Sequence, residues 1–483
     1  MTTVMVDRHW VEFGVGPRVM ARLLAGRLHY AWVVVGLMFV VILASVGVRA
    51  TPGVLIVPLQ RAFGWNTAVI SGAVSLNLLL FGLVGPFAAA LIQVIGLKRT
   101  VLCSMLLLVL GSGLSAFVSE IWQLYLTWGV LVGLGSGAGM VGLATAIANR
   151  WFVRRRGLVV GLLTASNASG QLVFLPLLAG LVVSHGWHIV PLVVAGVILA
   201  LIPVVLLMLP ESPASIGLGP FGSDEVVAPP VGSAGSPARL GAFESDEVVG
   251  PPVRSAGSSA QFGSDEVLAP AGSPARLGAF GIAIAGLLRG VRSIDFWLLF
   301  ISFSVCGFST NGLVATHLIP FCVDHGIAEV SAAGLLAAMG VFDLFGTTIS
   351  GYLTDRFDPR ILLFWYYGLR GLSLVVLPFT DFDVVSLAIF AAFYGLDWVA
   401  TVPPTVALTN EVFGRDDAPV IVSWIVAGHQ IGGALAALGA GETRYLTGSY
   451  VPAFLASGVA CLMAALLVLR IAQGGRAVAV AAG

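Results

Sequence analysis

Residues 187–209 read WHIVPLVVAGVILALIPVVLLML, a stretch without one Asp, Glu, Lys or Arg. About 20 residues rising 1.5 Å each cross the hydrocarbon core of a bilayer, so a run of this kind reads as a membrane-spanning helix. Comparable runs recur along the chain and predict helices over 30–57, 68–93, 100–119, 121–149, 157–183, 187–209, 295–320, 329–353, 360–379, 384–409, 418–440 and 450–471. A long polar segment divides these spans six and six. Of 483 residues, 58% are hydrophobic and 10% charged. Soluble domains carry roughly 45–50% apolar and about 25% charged residues, so a water-soluble globular fold is excluded. The expectation is an all-α integral membrane protein of twelve transmembrane helices in two pseudo-symmetric six-helix bundles. Its parts are a tail (1–29), a first bundle (30–209), a linker (210–294), a second bundle (295–471) and a final tail (472–483).

Orientation follows from Lys and Arg, which accumulate on the cytoplasmic side of membrane proteins. With the N-terminus inside, the inner segments hold 20 of the 24 basic residues, the outer loops hold Arg61 and Arg444, and Arg49 and Arg370 fall within spans. Both termini are therefore expected in the cytoplasm, with the chain multi-pass in a bacterial inner (plasma) membrane. The first apolar run is long and lacks a small-residue cleavage site, so it is expected to be retained as a helix. The zero net charge argues against nucleic acid as a partner. Cys103, Cys306, Cys322 and Cys461 stand apart in or beside apolar runs. They have neither metal-ligand nor disulfide spacing and read as small core residues; no cofactor or metal is expected.

The middle segment is a tandem repeat: GSDEVVAPPVGSAGSPARLGAF from 222, ESDEVVGPPVRSAGSSAQF from 244 and GSDEVLAPAGSPARLGAF from 263. Gly, Pro, Ser and Ala in this proportion cannot bury a core, which predicts a disordered tether. GIAIAGLLRGVR, just beyond, predicts a short amphipathic helix at the inner membrane surface. In the fourth span, GVLVGLGSGAGMVG places small residues where a neighbouring helix can approach closely.

Four charges, Asp355, Arg356, Asp358 and Arg360, are bunched in GYLTDRFDPR, residues 351–360, between the eighth and ninth spans. Shifted back 262 positions from Asp355, the chain reads AALIQVIGLKR, which joins the second and third spans. Gln93 there takes the place of Asp355, Gly96 that of Asp358 and Lys98 that of Arg360. Matching position, loop length and basic finish point to a duplicated architecture of the kind secondary transporters use.

This stretch resembles the loop signature of the major facilitator superfamily, where glycine, aspartate and basic residues recur between helices 2 and 3 and again between 8 and 9. The resemblance implies gating roles for Gly351, Asp355, Arg356 and Arg360, and for Gln93, Lys98 and Arg99, which latch the two bundles on the cytoplasmic side. Gln93 and Val94 depart from the pattern, replacing an aspartate and a basic residue, which leaves Asp355 the stronger gate candidate. RATPGVLIVPLQRAFGW (49–65), NRWFVRRRGLVVGLLTASNASGQLVFLPL (149–177) and GFSTNGLVATHLIPFCVDHGI (307–327) are similar to the bacterial monocarboxylate and oxalate/formate porter branch.

A charge at the bilayer centre costs about 2.5–3.5 kcal/mol on insertion scales, so each one kept there is a functional candidate. Arg49 lies in the outer half of the first span, where the fork of a guanidinium could hold a carboxylate. The resembled family carries a substrate-linked lysine close to this depth. Asp343 and Arg370 fall at similar depth on the eighth and ninth spans, and an ion pair between them is expected. The resembled family has an aspartate and an arginine four residues apart on helix 8; here Thr347 stands where that arginine would be. Asp397 and His429 share a depth on the tenth and eleventh spans and are expected, with Asp343, to carry a coupling proton. Arg370 and the neutral groups Asn77, Asn167, Gln171 and Asn311 are expected to complete the substrate site.

Together these readings predict an alternating-access carrier of a small, monocarboxylate-like organic anion, coupled to protons or to a counter-anion. One chain supplies both bundles, so a monomer suffices. A proton-driven exporter of hydrophobic drugs is the alternative within transport, and a membrane sensor the alternative outside it. No enzyme is expected: Asp343 and Asp397 lie on separate spans with no nucleophile motif.

Overall fold

The computed structural model describes residues 28–139, 141–223 and 278–472, together with Pro17 and Ala21. Most of the N-terminal tail, the repeat stretch 224–277 and residues 473–483 lie outside the described residues, and with them the expected tether. The described residues build twelve long helices. The first six are α1 (Tyr30–Phe63), α2 (Thr67–Ile95), α3 (Leu97–Ser115), α4 (Ile121–Leu124 continuing through Tyr125–Val132, Gly133–Gly139 and Val141–Trp151), α5 (Arg156–His185) and α6 (Ile189–Met208). The second six are α7 (Ile294–Asp324), α8 (Glu329–Thr354), α9 (Pro359–Phe379), α10 (Val384–Gly414), α11 (Asp417–Thr447) and α12 (Val451–Val468). Ten helices of the described residues are long and apolar enough to cross a bilayer; α4 and α5 complete the twelve.

Local chemistry sets the ends. Asn66 opens α2 by accepting a hydrogen bond from the Val69 N–H at 2.8 Å. Asp358 does the same for α9 with the Arg360 N–H, and Pro359 fills the first helical position, where no N–H is needed. α1 runs to Phe63, beyond the expected 57, and stops at Gly64, whose φ of 68° suits the left-handed turn that closes it.

The expected single helix over 384–409 is broken. α10 is helical from Val384 to Asp397, turns through residues 398–401 and resumes at Val402. Pro403 and Pro404 explain the break, since neither can donate the N–H that the carbonyls of Val399 and Ala400 would accept. α4 and α7 each contain a wider π-helical segment, Tyr125–Val132 and Phe308–Val314. The small-residue run of α4 packs as its composition predicts. A Cβ on Gly137 would come within 2.8 Å of Val84 on α2, and one on Gly135 within 3.1 Å of Leu107 on α3.

α1 begins, and α12 ends, at the face that carries the Arg- and Lys-rich connections, here termed the basic face. The two bundles meet along α2 and α11 and along α5 and α8. Antiparallel α2 and α11 touch through most of their length: Phe87 against Trp424, Gly82 against Gln430, Leu78 against Gly433 and Ser71 against Gly441. The expected helix after the linker is Ala279–Gly290. It docks on both members of this pair through Phe280 on Phe87, Trp424 Nε1 donating to the Ala283 carbonyl at 2.9 Å, and an Arg289–Asp417 ion pair at 3.0 Å.

The face opposite the basic one is closed by contact between the bundles. Gly53 of α1 lies against the Ala315 carbonyl of α7, so close that a Cβ would come within 2.7 Å of it. Arg61, at the end of α1, pairs with Glu329, at the start of α8, at 2.7 Å. Among the described ion pairs this is the one that joins the two bundles. Half-exposed pairs of this kind contribute up to about 1 kcal/mol, or roughly fivefold in an equilibrium. Glu329→Gln is therefore expected to raise, by up to about fivefold, the rate at which a membrane-impermeant thiol reagent added on this face modifies a cysteine introduced at Thr316. An unchanged rate would mean that the pair does not hold the face shut.

Candidate functional site

Between the bundles lies a cavity of about 60 Å³ lined from α1, α2, α5, α7 and α8 by residues that include Arg49, Asn77, Phe81, Leu175, Asn311, Thr316 and Leu336. A single water needs about 10–15 Å³ of such space, so the cavity takes a small polar group such as a carboxylate. Arg49 is the charged residue among the described residues lining it, and its guanidinium stands over the Phe81 ring, 5.4 Å from the centroid. A cation over an aromatic face keeps its charge partly solvated by the ring quadrupole while its N–H groups remain directional.

The two π-helical segments place the neutral polar groups. Asn77 Nδ2 donates at 2.7 Å to the Trp128 carbonyl inside the α4 segment. Asn311 sits within the α7 segment, where its Nδ2 donates to Gln430 Oε1 of α11 at 3.3 Å and Thr316 Oγ1 returns a bond to its backbone carbonyl at 2.8 Å. Four expected substrate residues, Arg49, Asn77, Asn167 and Gln171, lie on α1, α2 and α5, and Asn311 lines the cavity with Arg49 and Asn77 from α7. Asn167 and Gln171 are helical in α5, and their side chains lie outside the described residues.

Arg370 corrects one expectation. It is fully buried inside the second bundle (0% exposed) and is not among the cavity-lining residues. Its partner is also different. Nε donates to Asp397 Oδ2 at 2.6 Å, and Nη2 donates to the backbone carbonyls of Asp397 and of Trp398, the latter at 3.2 Å. Nη1 donates to Cys306 Sγ at 3.0 Å and to Ser309 Oγ at 3.5 Å. Tyr367 and Tyr394 place ring faces about the same guanidinium, at 5.9 and 5.8 Å. The expected Arg370–Asp343 pair is thus replaced by Arg370–Asp397. Asp343 accepts instead from Thr347 Oγ1 at 2.8 Å and from the Val399 N–H at 3.0 Å. The expected Asp397–His429 pair is displaced as well. The His429 ring packs on Phe303 with centroids 4.8 Å apart, beside the Cys306 thiol. Cys306, read from sequence as a core residue, stands between His429 and Arg370 and also meets Thr401 Oγ1 at 3.3 Å. A lone cysteine in an apolar run carries no sequence signal for this; Pro403–Pro404 signals only the break in α10.

The charged loop at the basic face pairs within its own bundle. Arg360 binds Asp358 through Nη2 at 2.7 Å and Nε at 3.0 Å and donates from Nη1 to the Ile471 carbonyl at 3.2 Å. Asp355 and Arg356 are exposed, with Arg356 4.0 Å from the centroid of the Tyr352 ring, and Gly351 meets nothing that a Cβ would touch. In the first half, the Lys98 N–H donates to Glu211 Oε2 at 3.2 Å and Arg150 Nη1 to the Glu211 carbonyl at 3.1 Å, while Arg99 is exposed. Gln93 is helical, and its side chain lies outside the described residues. Glu211, which follows α6, supplies the acid that this copy of the loop lacks. The expected latch across the bundles is therefore not made at the basic face by Arg360 or Lys98, whose partners come from their own halves.

Residues 37–437 and 324–480 match the family model of the Major Facilitator Superfamily. The chain belongs to the Major Facilitator Superfamily. As a member it is a multi-pass membrane transporter and not an enzyme, and it carries the twelve-helix fold of that superfamily. It is 26% identical to monocarboxylate transporter 13 of Bos taurus over 433 residues, covering 89% of this chain and 86% of the relative. With monocarboxylate transporter 14 of Homo sapiens it is 32% identical over 184 residues, or 38% of this chain; that match spans only 36% of the relative's length. A solved bacterial homologue of the human lysosomal transporter Spinster, in an inward-facing and occupied conformation, superimposes with a TM-score of 0.66 at 14% identity, covering 93% of this chain and 98% of that one. At that identity the likeness extends to the fold.

Removing one partner of a buried ion pair strands the other and costs on the order of 3–5 kcal/mol. Arg370→Leu is expected to lower the thermal unfolding temperature of purified protein clearly, and Arg370→Leu with Asp397→Leu to recover part of the loss. Equal unfolding temperatures for the parent and the single variant would contradict the pairing.

Proposed function

We propose that this transporter carries a small organic anion of monocarboxylate type by alternating access, with Arg49 as the group that binds the carboxylate. The observation that carries this reading is the small cavity between the bundles, where the lining charge is a guanidinium and the remaining walls are amides, a hydroxyl and apolar side chains. A two-toothed Arg–carboxylate contact gives both charge and orientation. Asn77 and Asn311 complete the polar wall, with Asn167 and Gln171 of α5 as further contacts, while Phe81, Leu175 and Leu336 take up the short apolar remainder. Relatives named as monocarboxylate transporters support the same substrate class. The basic face is assigned to the cytoplasm on the distribution of Lys and Arg. Closure of the opposite face by Arg61–Glu329 then corresponds to a state closed toward the outside, and the 351–360 loop, with Lys98 and Arg99, makes its gating contacts after the bundles rock.

For coupling, we assign the proton to Asp397 and His429, with the Cys306 thiol standing between His429 and the Arg370 guanidinium that pairs with Asp397. Asp397 Oδ1 is buried without a hydrogen-bond partner among the described residues, and His429 is the more exposed of the titratable pair. Asp343, already engaged by two donors, is left out.

Counterflow of radiolabelled short carboxylates in proteoliposomes at two pH values tests both parts. Hydrogen bonds to a charged group contribute about 1.5–3 kcal/mol, so Arg49→Ala is expected to lower apparent affinity about 10- to 100-fold, with Arg49→Lys in between. His429→Gln is expected to flatten the acceleration produced by outside acidification. Full saturable uptake by Arg49→Ala would reject the anion site, and an unaltered pH response in His429→Gln would remove that residue from coupling.

A further inference from the structure

The break in α10 is capped by side chains from two neighbouring helices. Through residues 397–400 the backbone groups that a helix would pair internally are taken as follows: the carbonyls of Asp397 and Trp398 by Arg370 of α9, the N–H of Val399 by Asp343 of α8, and the carbonyl of Ala400 by Ser350 Oγ of α8 at 2.5 Å. Val402 N–H closes back on the Val399 carbonyl at 2.9 Å. Within a bilayer there is no water to pair these groups, so each needs a partner from the protein. The junction between the two segments of α10 is therefore held by side chains of α8 and α9 in place of an unbroken ladder of backbone bonds.

Just ahead of the break, α8 and α10 are in backbone contact. A Cβ on Gly346 would come within 1.8 Å of the Leu396 carbonyl, and one on Gly395 within 2.7 Å of the Met339 carbonyl. No side chain fits either position. α8 in turn carries Leu336 to the cavity and Glu329 to the ion pair that closes the far face. The capped turn thus joins α10 to the helix that bears one wall of the cavity and one half of the closure.

We propose that Asp343, Ser350 and Arg370 are positioning residues for transport, which act by capping the break in α10 and so fix the stance of its segment Val384–Asp397 against α8. Asp343 works here as a hydrogen-bond acceptor, a part that its amide analogue can also play, and carries no proton to the substrate. The proposal goes beyond the anion reading above and does not depend on which solute is carried.

Three variants test it: Asp343→Asn, which keeps an acceptor oxygen, Asp343→Ala, which removes it, and Ser350→Ala, which removes the hydroxyl that donates to the Ala400 carbonyl. Each lost bond is worth about 1 kcal/mol, close to fivefold. Ser350→Ala is expected to lower the maximal exchange rate about fivefold, and Asp343→Ala somewhat more, with KM unchanged; Asp343→Asn is expected to keep most of the rate at both acid and neutral pH. A second readout needs no substrate. Spin labels at Val183 and Val385, attached by a thiol-independent route because four native cysteines remain, should show a broadened distance distribution in the two alanine variants and the parent distribution in Asp343→Asn. The proposal is overturned if Asp343→Asn is as impaired as Asp343→Ala, or if Ser350→Ala leaves both rate and distances as in the parent. Should Asp343→Ala fail to insert, Ser350→Ala and Asp343→Asn decide the matter alone.

Discussion

The interior of a bilayer holds no water for a backbone carbonyl or a charged side chain, so each one placed there needs a partner from the protein. The second bundle meets this demand around a single guanidinium. Arg370 has N–H groups directed at a carboxylate, two backbone carbonyls, a hydroxyl and a thiol, and two tyrosine rings cover its faces. A planar fork with five donors suits this arrangement in a way that a lysine ammonium does not. The same residue makes the double-proline break in α10 tolerable, because it takes two of the carbonyls exposed there. Charge burial and helix discontinuity in this chain are therefore one structural solution, shared by α7, α8, α9 and α10.

The first bundle has no counterpart to that network among the described residues. Its charge within the membrane is Arg49, placed at the cavity and not sealed in a core. The division of labour is physical. In one half a cation is fully satisfied by the protein and fixes the shape of a helix; in the other a cation stands over a phenyl ring at the edge of a small space. The first arrangement gives rigidity; the second puts a cation at the wall of a cavity. Superfamily membership supplies alternating access as the way such a site would be exposed to either side.

Much of this was legible from residues alone, and the failures have specific causes. The twelve apolar runs located the helices because the bilayer sets their length, with the ends of α1, α10 and α11 running five to seven residues past the expected 57, 409 and 440. Scarcity of charge singled out Arg49, Asp343, Arg370, Asp397 and His429. Their partners were misassigned because counting along a hairpin fixes depth and not the direction in which a side chain leaves its helix. Asp343 and Asp397 both fall at the depth of Arg370, and only the turn at 398–401 decides between them. That turn had a signal, Pro403–Pro404, masked by the high hydropathy of its surroundings. Glu211 beside Lys98, and Glu329 beside Arg61, join positions 113 and 268 residues apart; no local pattern announces either. Cys306 could be placed beside Arg370 only once α7 and α9 were packed together.

The claim on which this account rests is that an anion settles between the bundles at Arg49. Diffraction from crystals soaked with a bromine-substituted short monocarboxylate, collected at the bromine absorption edge, locates the ligand without assumptions about rates or coupling. The account predicts one dominant anomalous peak inside the cavity bounded by Arg49, Asn77 and Asn311. A dominant peak at the far mouth near Arg444, or an empty cavity at a ligand concentration that saturates transport, would contradict it.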